Sequence, residues 1–565
     1  MFMYSNTINA PIGYSKNPLI INNNFQYKIQ KNHANEVKGF LLVKLPVEIK
    51  LKIINLLSQY DCNNLLKTCK NLYQLSIIRL YQNIIVDENY SRFSNEKEYN
   101  WLFNHELSCT YINNQYSFNR FINTINDSPR NKFKIKKFQV YNLPKLLNIY
   151  QIYPNLSQFF KKFDHLNDLI WLNDSSFNLL WLENLPHKEN LLKLSLHLKD
   201  IPENFPNFPN LLKFQFEPFN SKFLIPINKL NNNLISLSLS KDKVTNCLLP
   251  NCYDLSIINN NNVNDQLHSI HTKYYDIELR SIENLVKNID YMNNLSRLSL
   301  NNILVTESDG RLLMNSINLC KLNELILTNI SEYQFLNYEN EIKSSSFLLV
   351  IAPKVKNIEH LSLDYRQLNI DSVPDFLCQL NHKKLKSLDL TIRLNSTKNI
   401  GDGYEFYNQY GSIIVNFENL TKLSIEMKRE FDNSADATNF HTLTNFPENI
   451  DFINQLHKLP KLSSLRINPS DNVDNLLTTI SRIKTLTILD VFGGQAGGSP
   501  NLGLGMVHPS IYDEWFKVQH IALAYRQKNS DLKYIRISNC VFECGNLGVN
   551  PRKGLNAWLD SKVRV

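Results

Sequence analysis

Residues 41–86 carry apolar side chains every three or four positions, a spacing that aligns them along one face of a helix. Pro46 stands where a first helix can begin, because the first helical nitrogen needs no hydrogen bond. Asp61 is a plausible cap for a second helix. The three expected helices carry Ile49, Ile53 and Leu57, then Leu65 and Leu66, then Leu72, Leu75, Ile78 and Leu80. Three short helices cannot bury all these side chains on one another, so some should contact a partner.

A second pattern recurs from about residue 130 onward: an apolar residue, two variable residues, an apolar residue, one variable residue and another apolar residue. One match means little, because any half-buried strand produces it, but about 15 matches predict a repeat. The clear matches are centred on Leu194, Phe214, Leu237, Leu298, Leu325, Leu361, Leu388, Leu423, Leu465, Leu489 and Ile535. Weaker matches are centred on Phe138, Leu169, Leu255 and Ile277.

The distance between these matches is close to the period of leucine-rich repeats, about 20–29 residues. Successive centres are 18 to 27 residues apart from Leu194 to Leu325, and the steps then lengthen, which indicates inserted loops. Helix-like runs at 282–286 and 474–480 lie between matches. The Asn or Cys expected three residues past the last Leu is mostly missing, so the repeat is irregular. We expect an α/β fold, a leucine-rich-repeat horseshoe with parallel strands on its concave face.

The pattern divides the chain into segments with different expected roles. Nine of the 15 Gly lie after residue 490, which predicts a long surface loop at 492–508. The expected segments are a flexible Asn-rich lead at 1–38, the helical block at 39–88, a helical linker or cap at 89–130, the irregular solenoid of about 15 repeats at 131–545, and a C-terminal cap at 546–565.

Composition and charge exclude several classes of protein. Hydrophobic residues make up 43% and charged residues 20% of the chain, so a sizeable core can form. No apolar run reaches the roughly 18 residues of a membrane span, and we expect no membrane partner. The nine scattered Cys and a start without a secretory pattern favour the cytoplasm, the nucleus or both.

The net charge of +9 is a weak excess over 565 residues, and a nucleic-acid partner is not expected. The densest basic stretch is at 132–137. The favoured interpretation is a solvated strand face there, with Ile135 and Phe138 turned inward.

No motif predicts catalysis, a metal or a cofactor. His105 and Glu106 begin like a zinc-protease helix, but no second His follows at the required spacing. The Gly-rich run at 493–505 lacks the Lys and Ser or Thr of a phosphate-binding loop. The pairs Cys247/Cys252 and Cys540/Cys544 have no partner ligands at zinc spacing, so these cysteines are expected to be free.

The helical block also has a characteristic order of residues. Its frame is Leu45-Pro46-x-Glu48-Ile49, Ile53, Leu56-Leu57, Asp61, Leu65, Cys69, Leu72-Tyr73 and Leu80-Tyr81. This frame resembles an F-box, with Tyr73 where many F-boxes have Trp. The alternative is a generic three-helix element that caps the solenoid.

A helical F-box before leucine-rich repeats is similar to the F-box/leucine-rich-repeat proteins of fungal type. The resemblance implies a non-catalytic substrate receptor of a Skp–cullin–F-box ubiquitin ligase. The F-box would bind a Skp-type adaptor, and through it a cullin and a RING subunit, while the repeats hold a protein substrate for ubiquitination and degradation. The expected adaptor-binding residues are Leu45, Pro46, Ile49, Ile53, Leu57, Leu65 and Leu66. The alternative is an interaction scaffold outside any ligase.

The variable positions inside each repeat predict a face for the substrate. They are Ser-rich in the first half of the solenoid and charged in the second half. The candidate substrate-binding residues are Asp389, Arg466, Asp490 and Arg536, with the loop at 492–508 as a gate. The alternative is that these are ordinary solvated strand residues.

Overall fold

A computed structural model describes part of the chain as well-placed segments. These are residues 42–57, 59–88, 109–129, 133–144, 149–173, 177–198, 205–217, 233–240, 252–254, 290–332, 334–336, 346–366, 371–395, 403–430, 451–467, 473–491, 511–537, 540–545 and 548–551. The expected lead at 1–38 and the loop at 492–508 lie outside the described residues, as does most of the cap at 546–565.

The chain forms two compact units. Among the described residues, the first comprises those up to 173 and those at 179–190, and the second comprises 177–178 and those from 191 to 551. Of the 20 strands in the described residues, 18 belong to a long, open and mostly parallel sheet. The expected mixed α/β class is therefore confirmed, and the sheet is compatible with a solenoid-like repeat.

The first unit begins with three helices, in the block where the apolar spacing predicts them. Asp61 lies in the first turn of the second helix, which begins at Gln59, so the prediction that Asp61 caps it is wrong. Pro46 occupies the N-cap position of the first helix. The helices of this unit are α1 (Val47–Asn55), α2 (Gln59–Leu65), α3 (Lys70–Gln82), α4 (Gln115–Asn126), α5 (Ile149–Phe160) and α6 (Leu180–Glu183).

Four parallel strands follow in the first unit. They are β1 (Asn83–Asp87), β2 (Thr110–Ile112), β3 (Lys137–Asn142) and β4 (Asp168–Trp171). The pairings place them in the order β2, β1, β3, β4. The matches centred on Phe138 and Leu169 face each other in β3 and β4. Two strands thus lie in segments where the sequence predicted only helices, β1 within 39–88 and β2 within 89–130.

A cluster of aromatic rings forms the core of this unit. Phe159 lies 5.2 Å from Phe138 between ring centroids, and Phe160 stacks on Trp181 at 5.6 Å. Trp181 also lies 5.3 Å from Trp171. All five side chains are at most 1% exposed. Rings at these distances gain edge and stacking interactions in addition to burial.

The second unit continues with parallel strands whose predicted central residues lie opposite one another. Leu388, for example, pairs with Leu361 on one side and Leu423 on the other, and all three are buried. The strands are β5 (Lys193–His197), β6 (Lys213–Glu217), β7 (Ser236–Ser240), β8 (Cys252–Asp254), β9 (Arg297–Asn301), β10 (Leu304–Val305), β11 (Glu324–Glu332), β12 (Gln334–Leu336), β13 (His360–Arg366), β14 (Ser387–Asn395), β15 (Lys422–Glu430), β16 (Ser464–Ile467), β17 (Ile488–Val491), β18 (Tyr534–Ile537), β19 (Cys540–Gly545) and β20 (Gly548–Pro551).

Helices return the chain between the later strands. The run predicted at 474–480 lies within one of these helices and is confirmed, whereas 282–286 lies outside the described residues. The helices are α7 (Glu307–Ser316), α8 (Phe347–Ile351), α9 (Ser372–Gln379), α10 (Gly403–Ile414), α11 (Asp451–Gln455), α12 (Val473–Arg482) and α13 (Ile511–Lys528).

A repeated backbone contact fixes the register where each strand starts. The N–H groups of Lys386 and Ser387 both donate to the carbonyl of Glu359, at 2.8 and 3.0 Å. One repeat later, Thr421 and Lys422 donate to the carbonyl of Lys386 in the same way. The arrangement recurs from the start of β6 to the start of β18, so each repeat is held by its immediate neighbour.

Asparagine side chains form a second series of bonds between neighbouring repeats, which we call the asparagine ladder. Asn357 donates from Nδ2 to the carbonyl of Cys320 at 2.8 Å, and Asn419 donates to the carbonyl of Lys383 at 2.7 Å. Equivalent bonds join Asn190 to Asp164 and Asn233 to Pro209. Each of these Asn directly precedes the first apolar residue of its repeat. This position differs from the one three residues past the last apolar residue, where leucine-rich repeats usually carry Asn or Cys.

We expect Asn357→Ala to lower the free energy of unfolding by about 0.5–1.5 kcal/mol, because the Cys320 carbonyl loses its donor. Urea unfolding, with hydrogen exchange over 317–366, measures the loss. Asn550→Ala is the control, because Asn550 is exposed and has no such bond, and its change should stay within about 0.5 kcal/mol. Equal effects of the two substitutions would show that the ladder does not stabilise the fold.

Two weak matches do not belong to the row of parallel strands. β7 pairs directly with β9, through Ser236 opposite Arg297, so no strand lies between them. The match at Cys252 instead begins β8, which pairs with β12 in a separate two-stranded sheet. The prediction that this match is a repeat of the main sheet is therefore wrong. The match centred on Ile277 lies outside the described residues.

The row of parallel strands ends in an antiparallel hairpin. β19 pairs antiparallel with β18, and β20 pairs antiparallel with β19. The N–H of Cys544 donates to the Lys533 carbonyl, on the β18 side of β19. Val549 of β20 lies opposite Cys544, so the N–H and carbonyl of Val549 point away from β19, to the outer edge of β20. The side chain of Gln519 on α13 donates to that Val549 carbonyl at 3.2 Å. Pro551, whose nitrogen carries no hydrogen, lies on the same outer edge.

Candidate functional site

The first three helices expose large apolar side chains to solvent. The exposed fractions are 47% for Val47, 41% for Ile49, 80% for Leu56, 46% for Tyr73 and 40% for Ile78. They lie on α1, on the residue that ends it, and on α3. Exposed large apolar side chains on a short helical block are typical of a protein-binding site.

Other residues of these helices form a closed interior. Ile54, Cys62, Leu72, Leu75 and Leu80 are at most 7% exposed and pack into one cluster. The exposed residues are therefore not needed to fill this core, which leaves them available to a partner.

Two buried charged side chains form hydrogen bonds that connect the helices of the block. Arg79 is 1% exposed and donates from Nη2 to the Leu57 carbonyl at 3.0 Å, so it binds the end of α1 to α3. Lys50, 3% exposed, donates to Asn71 Oδ1 at 3.1 Å. Burial lowers the pKa of Arg79, and the nearby Cys62 and Cys109 oppose that shift. Burial likewise raises the pKa of the Cys62 thiol, which keeps it protonated and unreactive.

The block is joined directly to the sheet of the first unit. α3 ends at Gln82 and β1 begins at Asn83, with no residue between them. Gln59 of α2 pairs with the backbone of Tyr111 in the edge strand β2. Its Oε1 accepts from the Tyr111 N–H at 2.9 Å, and its Nε2 donates to the Tyr111 carbonyl at 3.4 Å. The block therefore also covers the edge of a sheet.

The expected adaptor-binding residues have different environments. Pro46 and Ile49 are exposed, and Leu45 and Ile53 are half-buried. The remaining three, Leu57, Leu65 and Leu66, are partly buried and pack against the internal cluster. Their role in adaptor binding stays a prediction. Val47, Leu56 and Ile78 are exposed beside them but were not selected from the sequence. No signal in the sequence marks them, because exposure on α1 and α3 depends on how these helices pack.

Three of the expected substrate-binding residues form a buried ionic cluster on neighbouring strands. Asp490 of β17 lies opposite Arg466 of β16 and Arg536 of β18. Its Oδ2 is 3.5 Å from Arg466 Nε and 3.7 Å from Arg536 Nη1. Arg466 also donates from Nη1 to the hydroxyl of Ser424 in β15 at 3.3 Å.

The expectation that these three side chains face solvent is wrong. The exposed fractions are 1% for Arg466, 0% for Asp490 and 2% for Arg536. A charged side chain is buried at this level only when its charge is compensated within the protein. In this structure the three charged side chains connect neighbouring strands, and none of them is exposed at the surface. Substrate binding by these residues stays a prediction.

Asp389 differs from the other three. It is half-buried on β14, and its Oδ2 accepts from the hydroxyl of Ser362 in β13 at 2.9 Å. The bond joins two adjacent strands on the same face as Arg466. Its predicted role in substrate binding is likewise untested.

The basic stretch at 132–137 has the environment expected from the sequence. Ile135 and Phe138 are at most 2% exposed, whereas Lys136 and Lys137 face solvent. Lys137 also pairs with Asp168 of the next strand at 3.2 Å. The solvated face is therefore confirmed for the described residues 133–137, of which only Lys137 lies in the strand, and Lys132 lies outside the described residues.

The described residues also include potential metal ligands and nucleophiles outside these sites. Among them, no three His, Cys, Asp or Glu side chains converge as metal ligands. Burial raises the pKa of Cys544 to about 11, so its thiol is a poor nucleophile at neutral pH. Within the described ranges, no helix has the length and apolar character needed to span a membrane.

No family model matches the sequence, and no curated protein matches it.

Proposed function

We propose that the chain is the substrate-recognition subunit of a Skp–cullin–F-box ubiquitin ligase. The helices α1–α3 bind a Skp-type adaptor, and the repeats bind a protein substrate. The chain performs no chemistry in this role. It holds the substrate near the ubiquitin-conjugating enzyme, and the gain in rate comes from proximity.

The observation that carries the proposal is the apolar surface of α1–α3. Its helices have their own buried core, yet Val47, Ile49, Leu56 and Tyr73 remain between 41% and 80% exposed. Burial of one such side chain contributes about 1.5–3 kcal/mol. A few at the centre of an interface are enough for stable association. The F-box-like frame at Leu45–Tyr81 agrees with an adaptor as the partner.

The attachment of the block to β1 and β2 supports the same role. A receptor must hold its adaptor surface at a fixed orientation, and the direct junction of α3 with β1 provides this stiffness. The Gln59–Tyr111 pair restrains the block at a second point.

The same attachment favours a second candidate function. Because Gln59 satisfies backbone groups of the edge strand β2, the helical block also acts as a cap of the repeat sheet. In this case the chain is an interaction scaffold outside any ligase, and the apolar surface has another partner.

The test measures binding of the purified full-length chain to a purified Skp-type adaptor. We expect Val47→Asp with Ile49→Asp to weaken binding at least about 100-fold, because two apolar contacts are lost. Both positions lie in the first turn of α1, where a carboxylate complements the helix dipole, so the helix should persist.

Leu180→Asp is the matched control, since Leu180 is 60% exposed in the same unit but lies outside α1–α3. It should leave adaptor binding unchanged. If the wild-type chain does not bind the adaptor, the ligase proposal is overturned. If it binds the adaptor but never co-purifies with a cullin from cell extract, the scaffold function is correct.

A further inference from the structure

The turns that lead into the later strands carry exposed basic side chains. These turns are residues 317–324, 352–360, 380–387, 415–422, 456–464, 482–488 and 528–534, at the starts of β11 and β13–β18. Their exposed basic residues are Lys321, Lys354, Lys356, Lys383, Lys384, Lys386, Lys422, Lys458, Lys461, Arg482, Lys484, Lys528 and Lys533. We call this set the lysine edge.

Hydrogen bonds between neighbouring turns align the lysine edge. The Asn419 side chain accepts from Lys461 in the next turn and donates to the Lys383 carbonyl in the preceding turn. Lys386 pairs with Glu359 of the preceding turn at 2.7 Å. Neighbouring strands lie about 4.8 Å apart, so these turns follow one another along one edge of the sheet.

The lysine edge holds a large excess of positive charge. Its turns contain 13 Lys or Arg but only four acidic residues, Glu324, Glu359, Glu418 and Asp531. The excess equals the net charge of +9 of the whole chain. Charge of one sign concentrated on one edge attracts a partner of opposite charge.

Helix dipoles explain only a small part of this pattern. Cations are favoured in the last turn of a helix, and Arg482 and Lys528 occupy such positions in α12 and α13. Lys383 and Lys384 lie beyond the end of α9 at Gln379, and Lys356 lies beyond the end of α8. Most of the lysine edge therefore has no role in ending a helix.

We propose that the lysine edge binds an acidic, extended segment of a partner protein. The inference rests on the proposed function, because it names the class of substrate that the repeats hold. Seven strand starts at about 4.8 Å span about 29 Å, the length of about nine residues of extended chain. Lysine suits carboxylates, since its ammonium acts as a mobile point charge.

The residue types favour protein over nucleic acid as the partner. Nucleic-acid surfaces use Arg for bidentate contacts and exposed aromatic rings for base stacking. The lysine edge has a single arginine, Arg482, and in its described turns only one aromatic ring, the half-buried Tyr534, reaches the surface at all.

The test uses the full-length chain and a fluorescent peptide of about twelve residues rich in Asp and Glu. Fluorescence anisotropy measures its affinity at low salt, and we expect binding to weaken steeply as salt screens the charges. Lys383→Glu with Lys384→Glu and Lys484→Glu should reduce the affinity at least about tenfold.

The matched control reverses three exposed lysines of the first unit, Lys134, Lys136 and Lys161. This control changes the net charge by the same amount. If the peptide binds at the lysine edge, its affinity for the control variant should change little. Equal losses in both variants, or no binding by the wild type, would overturn the inference. So would tighter binding of a single-stranded RNA of equal charge. Adaptor binding is measured on the same variants, so failure of the lysine edge is distinguishable from failure of the adaptor surface.

Discussion

Asp490→Ala should lower the free energy of unfolding by about 3–5 kcal/mol, because it leaves two buried guanidinium groups without their shared carboxylate. Arg466 and Arg536 are 1% and 2% exposed, so water does not replace the lost charge. The three residues connect β16, β17 and β18, and the loss should be greatest there. Hydrogen exchange of the amides in 464–467, 488–491 and 534–537 measures it, together with urea unfolding.

The control for Asp490→Ala removes all three charges. In Arg466→Met, Asp490→Leu and Arg536→Met combined, no uncompensated charge stays buried, and stability should return close to that of the wild type. A single Asp490→Ala variant with wild-type exchange in β16–β18 would refute a structural role for the cluster.

Trp181→Ala should destabilise the first unit by about 3–5 kcal/mol, the usual cost of removing a large buried aromatic ring. Trp181 is 1% exposed and contacts both Phe160 and Trp171, so its removal opens a cavity between α5, α6 and β4. The urea midpoint and hydrogen exchange of residues 149–173 measure the loss.

Leu180→Ala serves as the control for Trp181→Ala. Leu180 is adjacent on α6 but 60% exposed, so the substitution should change stability by no more than about 0.5 kcal/mol. If Trp181→Ala costs less than about 1 kcal/mol, the aromatic cluster is not the core of the unit.

The apolar spacing predicted most of the sheet, because one physical requirement produces both the pattern and the strand. Leu388 lies opposite Leu361 and Leu423, where the repeat spacing placed them. The helices at 41–86 were predicted for the same reason, since α1–α3 each need one buried face.

Contacts that depend on distant parts of the chain could not be predicted. The direct pairing of β7 with β9 bypasses the residues between them, and nothing in their local spacing marks this. The pattern does not predict β1 as a strand, because Ile84, Ile85 and Val86 form a continuous apolar run. Such a run does not distinguish a buried strand from a helix.

The candidate sites could also be predicted only in part from the sequence. Spacing predicted a partner surface on α1–α3 but not which of their side chains are exposed, since that depends on how α1 and α3 pack. Strand alternation placed Arg466, Asp490 and Arg536 on the face away from the leucines, yet it could not show that these three side chains are buried. The lysine edge was overlooked because its members are scattered in sequence and are aligned only by the pairing of the strands.

The outer edge of β20 has a consequence for the behaviour of the protein at high concentration. A bare strand edge is a template on which a second molecule can add its own strand, and such addition begins aggregation. Gln519 already occupies the Val549 carbonyl on this edge, and Pro551 offers no hydrogen to an incoming strand. A protein that depends on a long stack of parallel strands therefore ends that stack in a form that other molecules cannot readily extend.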